Sequence, residues 1–203
     1  MRVLVAVPTY ESVEPETFKS IWDLDPCGHE LSYDHVRGYG AARARNLIGA
    51  MCLDGGYDAV LMVDSDVVLP PDVLGLLLEG ECPVVLGAYP RKGETAGSEL
   101  FRGGVRDFTD ANRIRFADMP DGRFPVKGGG FGCALVRASA LRRLPRPWFR
   151  YVENSDGSVL SEDLYFCCQC SSHGIRVEGD GRVRCLHIGK RALAGDRRPT
   201  IAS

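Results

Sequence analysis

Val60-Leu61-Met62-Val63, followed by Asp64-Ser65-Asp66, is the stretch that most narrows the folds open to this chain. Successive side chains of a strand point to opposite faces, so an unbroken apolar run reads as a strand covered on both sides. Such strands belong to layered α/β sheets with helices above and below. The period of two is expected to point Asp64 and Asp66 the same way at the strand's C-terminal end, where two carboxylates can hold a hard divalent cation. That cation takes one or two protein carboxylates, keeps some water and completes its shell with substrate phosphates. The competing reading is a turn, in which Asp-Ser-Asp leads into Pro70-Pro71-Asp72 and caps the next helix.

The flanking sequence repeats the strand and helix alternation. Arg2–Val7 reads as a first strand ending at Pro8-Thr9-Tyr10-Glu11, with a short helix around Pro15 to Trp22 and a second strand over Glu30–Val36. Between Ala42 and Cys52 the residues Ala44, Leu47, Ile48, Met51 and Cys52 recur at helical spacing, and Gly55-Gly56 ends that helix. A helix over Pro71–Leu78 and a buried strand over Pro83–Gly87 follow. The pattern predicts a Rossmann-like three-layer α/β/α domain with a mixed, mostly parallel central sheet. One domain is expected over residues 1–203, with residues 1–90 as its nucleotide-binding half.

From Arg91 to Pro125 the periodicity fades into short strands and turns, a pattern typical of acceptor sites and lids. Gly128-Gly129-Gly130-Phe131-Gly132 permits close backbone approach to a ligand, but no Lys-Ser/Thr follows as in a phosphate loop. A strand over Cys133–Val136 and a helix over Ala138–Leu144 come next. Ser161-Glu162-Asp163 opens a helix to about Ser172, and a last strand after Gly174 leads to His187.

The 203 residues carry a net charge of −2, which gives no electrostatic footprint for nucleic acid or an anionic membrane. No apolar run approaches the roughly 20 residues that span a bilayer, and Met1-Arg2 opens straight into a strand without a signal-peptide pattern, so a cytoplasmic protein is expected. Of the eight cysteines, Cys52, Cys82 and Cys133 fall in apolar segments like small buried hydrophobes, which suits a reducing compartment. Cys167, Cys168, Cys170 and Cys185 beside His187 raise the question of zinc. Their spacing fits no standard site, and Cys167 and Cys170 lie i, i+3 on one helix, so core packing is the better explanation.

Taken in order, these elements resemble a glycosyltransferase of the GT-A fold, similar to the family-2 group of nucleotide-sugar enzymes. The residues that carry the resemblance are Val5-Ala-Val-Pro-Thr-Tyr10, Ala44-Arg-Asn46, Val63-Asp-Ser-Asp66, Gly129-Gly130, Ser161-Glu-Asp163 and His187. The resemblance implies that Pro8, Thr9 and Glu11 lie near the base and ribose, with Arg45, Asn46, Gly129 and Gly130 along the donor. Asp66 is implied as the direct metal contact, and Asp64 as acting through water or ribose. In inverting members the aspartate of the Glu-Asp pair takes the acceptor's proton, which here is Asp163, with Glu162 orienting the acceptor.

A hydroxyl that attacks an anomeric carbon must lose its proton, and a carboxylate in a partly closed site can accept it. Ser161-Glu162-Asp163 also suits a plain helix start, with a serine cap and acidic residues against the dipole. His187 beside Asp66 would offer one imidazole and one carboxylate, tilting the preference from Mg²⁺ toward Mn²⁺. Lys190 would lie near the departing diphosphate. The expected partners are a nucleoside-diphosphate sugar and a carbohydrate, lipid-linked or protein acceptor, with residues 91–203 as the acceptor and catalytic half. A nucleotide-sugar-binding domain without chemistry is the alternative. A sugar-phosphate nucleotidyltransferase ranks lower, because the turn after the first strand contains no glycine and no basic residue.

Overall fold

The computed structural model describes residues 1–93, 96–103 and 108–189. Strand β1 (Arg2–Thr9) is buried from Val3 to Thr9. Helix α1 (Pro15–Trp22) begins on a proline, whose missing N–H is harmless in a first turn. Strand β2 (Glu30–Arg37) and helix α2 (Ala41–Asp54) follow. Helix α2 ends before Gly56, whose φ of 66° lies in the left-handed region that favours glycine. Strand β3 (Ala59–Val63) is buried at all five positions. The short β4 (Val67–Val68), α3 (Val73–Leu78) and β5 (Val84–Ala88) complete the first half.

In the second half, β6 (Gly97–Phe101), β7 (Arg113–Arg115), β8 (Arg123–Pro125) and β9 (Gly128–Gly129) are short, as the faded periodicity implies. Then come β10 (Cys133–Arg137), α4 (Ala138–Arg143), the hairpin of β11 (Val152–Glu153) and β12 (Val159–Leu160), α5 (Glu162–Ser172), β13 (Val177–Arg184) and β14 (Leu186–His187).

The central sheet has seven strands in the order β2-β1-β3-β10-β5-β13-β8. Strands β2, β1, β3, β5 and β13 run one way, while β10 lies antiparallel between β3 and β5 and β8 is antiparallel at the edge. The sheet is therefore mixed and mostly parallel. Its alternating side chains divide into two cores. Leu4, Ala6, Val60 and Met62 face α2, α4 and α5, while Val3, Val5, Leu61 and Val63 face α1 and α3. Among the described residues no helix is long and apolar enough to cross a membrane.

The glycine-rich segment is explained by packing. A Cβ on Gly130 would stand 1.9 Å from the Tyr89 hydroxyl oxygen, and one on Gly132 would stand 2.6 Å from the Tyr89 ring. Gly129 is buried in β9 opposite Leu100, whose side chain would meet a Cβ at 2.7 Å. Gly130→Ala is expected to destabilise the fold by about 1–3 kcal/mol, because the neighbouring ring is itself buried and held. Chemical denaturation of the variant against the parent measures this, and an unchanged midpoint would contradict it.

Candidate active site

Strand β3 stops at Val63, one residue before the first aspartate. Asp64-Ser65-Asp66 forms a turn in which the Val67 N–H donates to the Asp64 carbonyl at 3.1 Å. The two carboxylates are therefore not aligned by strand alternation, and they engage different partners. This departs from the period-two expectation, because the strand ladder to β10 ends at the Val63 and Cys133 pair.

Asp64 belongs to a cluster centred on Arg45. The Arg45 side chain, 3 % exposed, donates from Nη2 to Asp64 Oδ1 at 2.7 Å and from Nη1 to Glu162 Oε1 at 2.5 Å. Its Nε stands 3.3 Å from Asp163 Oδ1. The distance is that of an ion pair, yet the geometry makes no hydrogen bond, so both buried atoms lack one. Burial works against the charge on Arg45, but the three carboxylates hold its pKa above the ordinary arginine value. Burial likewise raises Asp64, with Arg45 opposing it and Asp66 adding to it.

Helix α5 delivers the other two carboxylates. Ser161 caps it, its Oγ accepting from the Leu164 N–H at 3.5 Å, which sets Glu162 and Asp163 in the first turn. Asp163 Oδ2 accepts from the Phe131 N–H at 3.1 Å. Burial pushes the Asp163 carboxyl up to about 7, against the pull of Arg45 and with Glu162 and Asp64 raising it further. A carboxylate titrating there is matched to proton transfer near neutral pH. Burial, and then the nearby Glu162 carboxylate, push the Tyr151 phenol up to about 12.

Asp66 meets His187 across 121 positions of sequence because β14 pairs with β4, placing His187 opposite Val67. The Ile188 N–H donates to the Asp66 carbonyl at 2.8 Å and locks the pairing. His187 Nδ1 lies 2.8 Å from the Pro90 carbonyl and so carries the proton there, and Nε2 faces Asp66 Oδ1 at 3.3 Å. Lys92 contacts the other Asp66 oxygen. Burial raises the Asp66 carboxyl, but the hydrogen bonds from His187 and Lys92 outweigh it and bring it down to about 2. Burial alone would lower His187, yet Asp66 and Pro90 leave it raised.

An imidazole nitrogen and a carboxylate oxygen converging at this distance are a donor pair suited to a divalent cation, with the imidazole proton fixed on the far nitrogen. The fit is partial, since Asp64 is engaged by Arg45 and Lys92 already neutralises Asp66. Among the described residues no three His, Cys, Asp or Glu side chains form a ready cation cage, the cysteines of α5 included. Cys167 and Cys170 are free thiols in the core, and burial pushes Cys167 up to about 12.

These groups share one open cleft of about 430 Å³, bordered by Pro8, Thr9, Arg45, Asp64, Asp66, Lys92, Glu162, Asp163 and His187. It lies past the C-terminal ends of β1 and β3, where open α/β sheets bind ligands. Thr9 is also a wall of an adjoining hollow of about 300 Å³ that contains Glu11, His35 and Arg37. Other expected site residues sit elsewhere. Asn46 spends its amide on its own helix and on the chain after Pro147, donating to the Ala42 and Phe149 carbonyls at 2.7 and 2.6 Å and accepting from the Trp148 N–H at 2.9 Å. Gly129 and Gly130 pack beneath the cleft against Leu100 and Tyr89. Lys190 lies outside the described residues. Lys92 and Tyr151 were not foreseen. Lys92 comes from the irregular segment without periodicity, and Tyr151 precedes a two-residue strand.

The sequence matches no protein-family model and no curated protein. Several solved structures share its architecture. The crystal structure of A197 from STIV is 24 % identical with a TM-score of 0.63, over 93 % of this chain and 86 % of that one. The TM-score to GalNAc-T7 with UDP, GalNAc and Mn²⁺ is 0.57, at 9 % identity. The fold is GT-A-like. S. aureus TarS 1–349 in complex with UDP-GlcNAc follows at 0.52 and 15 % identity. This chain spans 62 % of that TarS chain and 45 % of GalNAc-T7, so both are considerably longer.

Proposed function

We propose that the chain is a metal-dependent glycosyltransferase that moves one sugar from a nucleoside-diphosphate sugar to an acceptor hydroxyl with inversion. The observation that carries the reading is the meeting, in one cleft at the strand ends, of an elevated carboxylate at Asp163 with the Asp66 and His187 donor pair. The TarS and GalNAc-T7 structures of like fold contain UDP-GlcNAc and UDP with Mn²⁺, respectively, which supports the donor class.

In this reading the base and ribose occupy the hollow of Thr9, Glu11 and Arg37, and the diphosphate faces Lys92 and His187. Asp66 and His187 would hold Mn²⁺ or Mg²⁺, which supplies charge stabilisation for the departing diphosphate. Lys92, half exposed, brings a second positive charge to the same place. The acceptor oxygen attacks the anomeric carbon as its proton passes to Asp163, and the bond to the diphosphate breaks. Arg45 fixes Asp163 and keeps three neighbouring acids ionisable together. The turn after β1 contains neither glycine nor a basic residue, which counts against nucleotidyl transfer.

The test is release of nucleoside diphosphate from a panel of sugar nucleotides with Mn²⁺. The parent is expected to turn over one donor class, and Asp66→Ala to lose at least a hundredfold of that rate, the scale on which one charge-stabilising group contributes. Full activity in Asp66→Ala would remove the metal assignment.

A further inference from the structure

We propose that the groove beside the cleft, between α2 and residues 146–151, binds the acceptor, and that the acceptor is a saccharide bearing oxyanions. That the saccharide is an acceptor rests on the glycosyltransferase reading, whereas its charge is read from the groove itself.

The groove encloses about 850 Å³ and presents Arg43, Leu47, Arg146, Arg150 and Tyr151, with Trp148 buried in its wall. Each arginine lies over a ring. Arg43 is 4.5 Å from the centroid of Tyr39, Arg146 4.5 Å from Trp148, and Arg150 4.7 Å from Tyr165. Stacking occupies the guanidinium face and leaves its edge N–H groups in a preset fork for sulfate, phosphate or carboxylate. Among the described residues no carboxylate forms an ion pair with any of the three, in a chain whose net charge is −2. Leu47 and Tyr151, 37 % and 54 % exposed, add apolar surface of the kind that takes the C–H faces of sugar rings.

Two contacts join the groove to the cleft. Tyr39, beneath Arg43, borders the cleft, and Tyr151 lies close enough to Glu162, the neighbour of Asp163, for that carboxylate to raise the phenol's pKa. A saccharide in the groove therefore runs toward the carboxylate that takes the proton. The three cations are confined to one groove and are not spread along a stripe, which favours a short charged saccharide over the evenly spaced phosphates of nucleic acid.

Trp148 is the reporter. In Trp22→Phe protein it is the remaining tryptophan, and a ligand that engages Arg146 alters its fluorescence. The probes are a sulfated heparin hexasaccharide, hexagalacturonate, uncharged maltohexaose and hexathymidylate, without metal or nucleotide. At least one anionic hexasaccharide is expected to saturate, tenfold or more tighter than maltohexaose and hexathymidylate, and which one saturates distinguishes sulfate from carboxylate. Arg146→Gln with Arg150→Gln, titrated by calorimetry because the arginine that couples ligand to Trp148 is gone, should weaken it at least tenfold, while Arg115→Gln, an exposed arginine on β7, should not. No saturation by either anionic probe, equal affinity in the double variant, or tighter binding of hexathymidylate overturns the proposal. Nucleotide binding in the cleft is measured separately, so a failed groove leaves the donor reading standing and a failed donor site leaves the groove standing.

Discussion

Asp163→Asn is expected to lower turnover about 10²–10⁴-fold while leaving donor binding near that of the parent, the range a positioned general base contributes. Asparagine keeps an oxygen for the Phe131 N–H but cannot take a proton, so binding and chemistry separate in this variant. The same carboxylate sets the pH dependence. Burial with Glu162 and Asp64 nearby holds Asp163 at about 7, so below that value it is protonated and cannot act as base. In the parent, kcat/KM should rise with pH through about 7 and level above it, and the rise should be missing from the residual rate of Asp163→Asn. Retained turnover would shift the role to Glu162 or to a retaining mechanism.

Arg45→Met is expected to cost about 3–5 kcal/mol of stability, because removing the cation leaves the buried Glu162 and the half-buried Asp64 and Asp163 against one another without compensation. Arg45→Lys should recover only part of this, since a single ammonium cannot address three carboxylates as the guanidinium fork does. Denaturant unfolding measures both. The loss in Arg45→Met should shrink at acidic pH, where the raised Asp64 and Asp163 carboxyls take up protons and the repulsion fades. A midpoint within the range of a surface substitution would contradict the placement of Arg45 at the centre of the cluster.

The framework was legible where periodicity is strong. The buried run before Asp64, the helical stripe through Ala44, Ile48 and Cys52, and the serine cap at Ser161 each appear as elements with bounds within about two residues. What the sequence could not supply is the partner of each charge. Asp64 and Asp66 look equivalent in a line of letters, and only the turn after Val63, the β4 and β14 pairing and the reach of α2 send one to Arg45 and the other to His187. Asn46 reads as a ligand contact beside Arg45, but one residue along a helix turns the side chain toward Trp148 instead. The glycines after Lys127 suggest a ligand approaching the backbone, and in the structure it is the Tyr89 ring that approaches. Lys92 had no pattern to mark it, since an ion pair between a loop and a distant turn leaves no periodic trace.

The most direct measurement is calorimetric titration of UDP, GDP, CDP and dTDP into the purified protein, each with Mn²⁺ and again with EDTA, in the parent and in Asp66→Ala. Saturable binding of one nucleotide that needs Mn²⁺ and is lost in Asp66→Ala is the predicted result. Binding of none of the four, or binding indifferent to both EDTA and Asp66, would contradict a metal-assisted sugar-nucleotide site in this cleft.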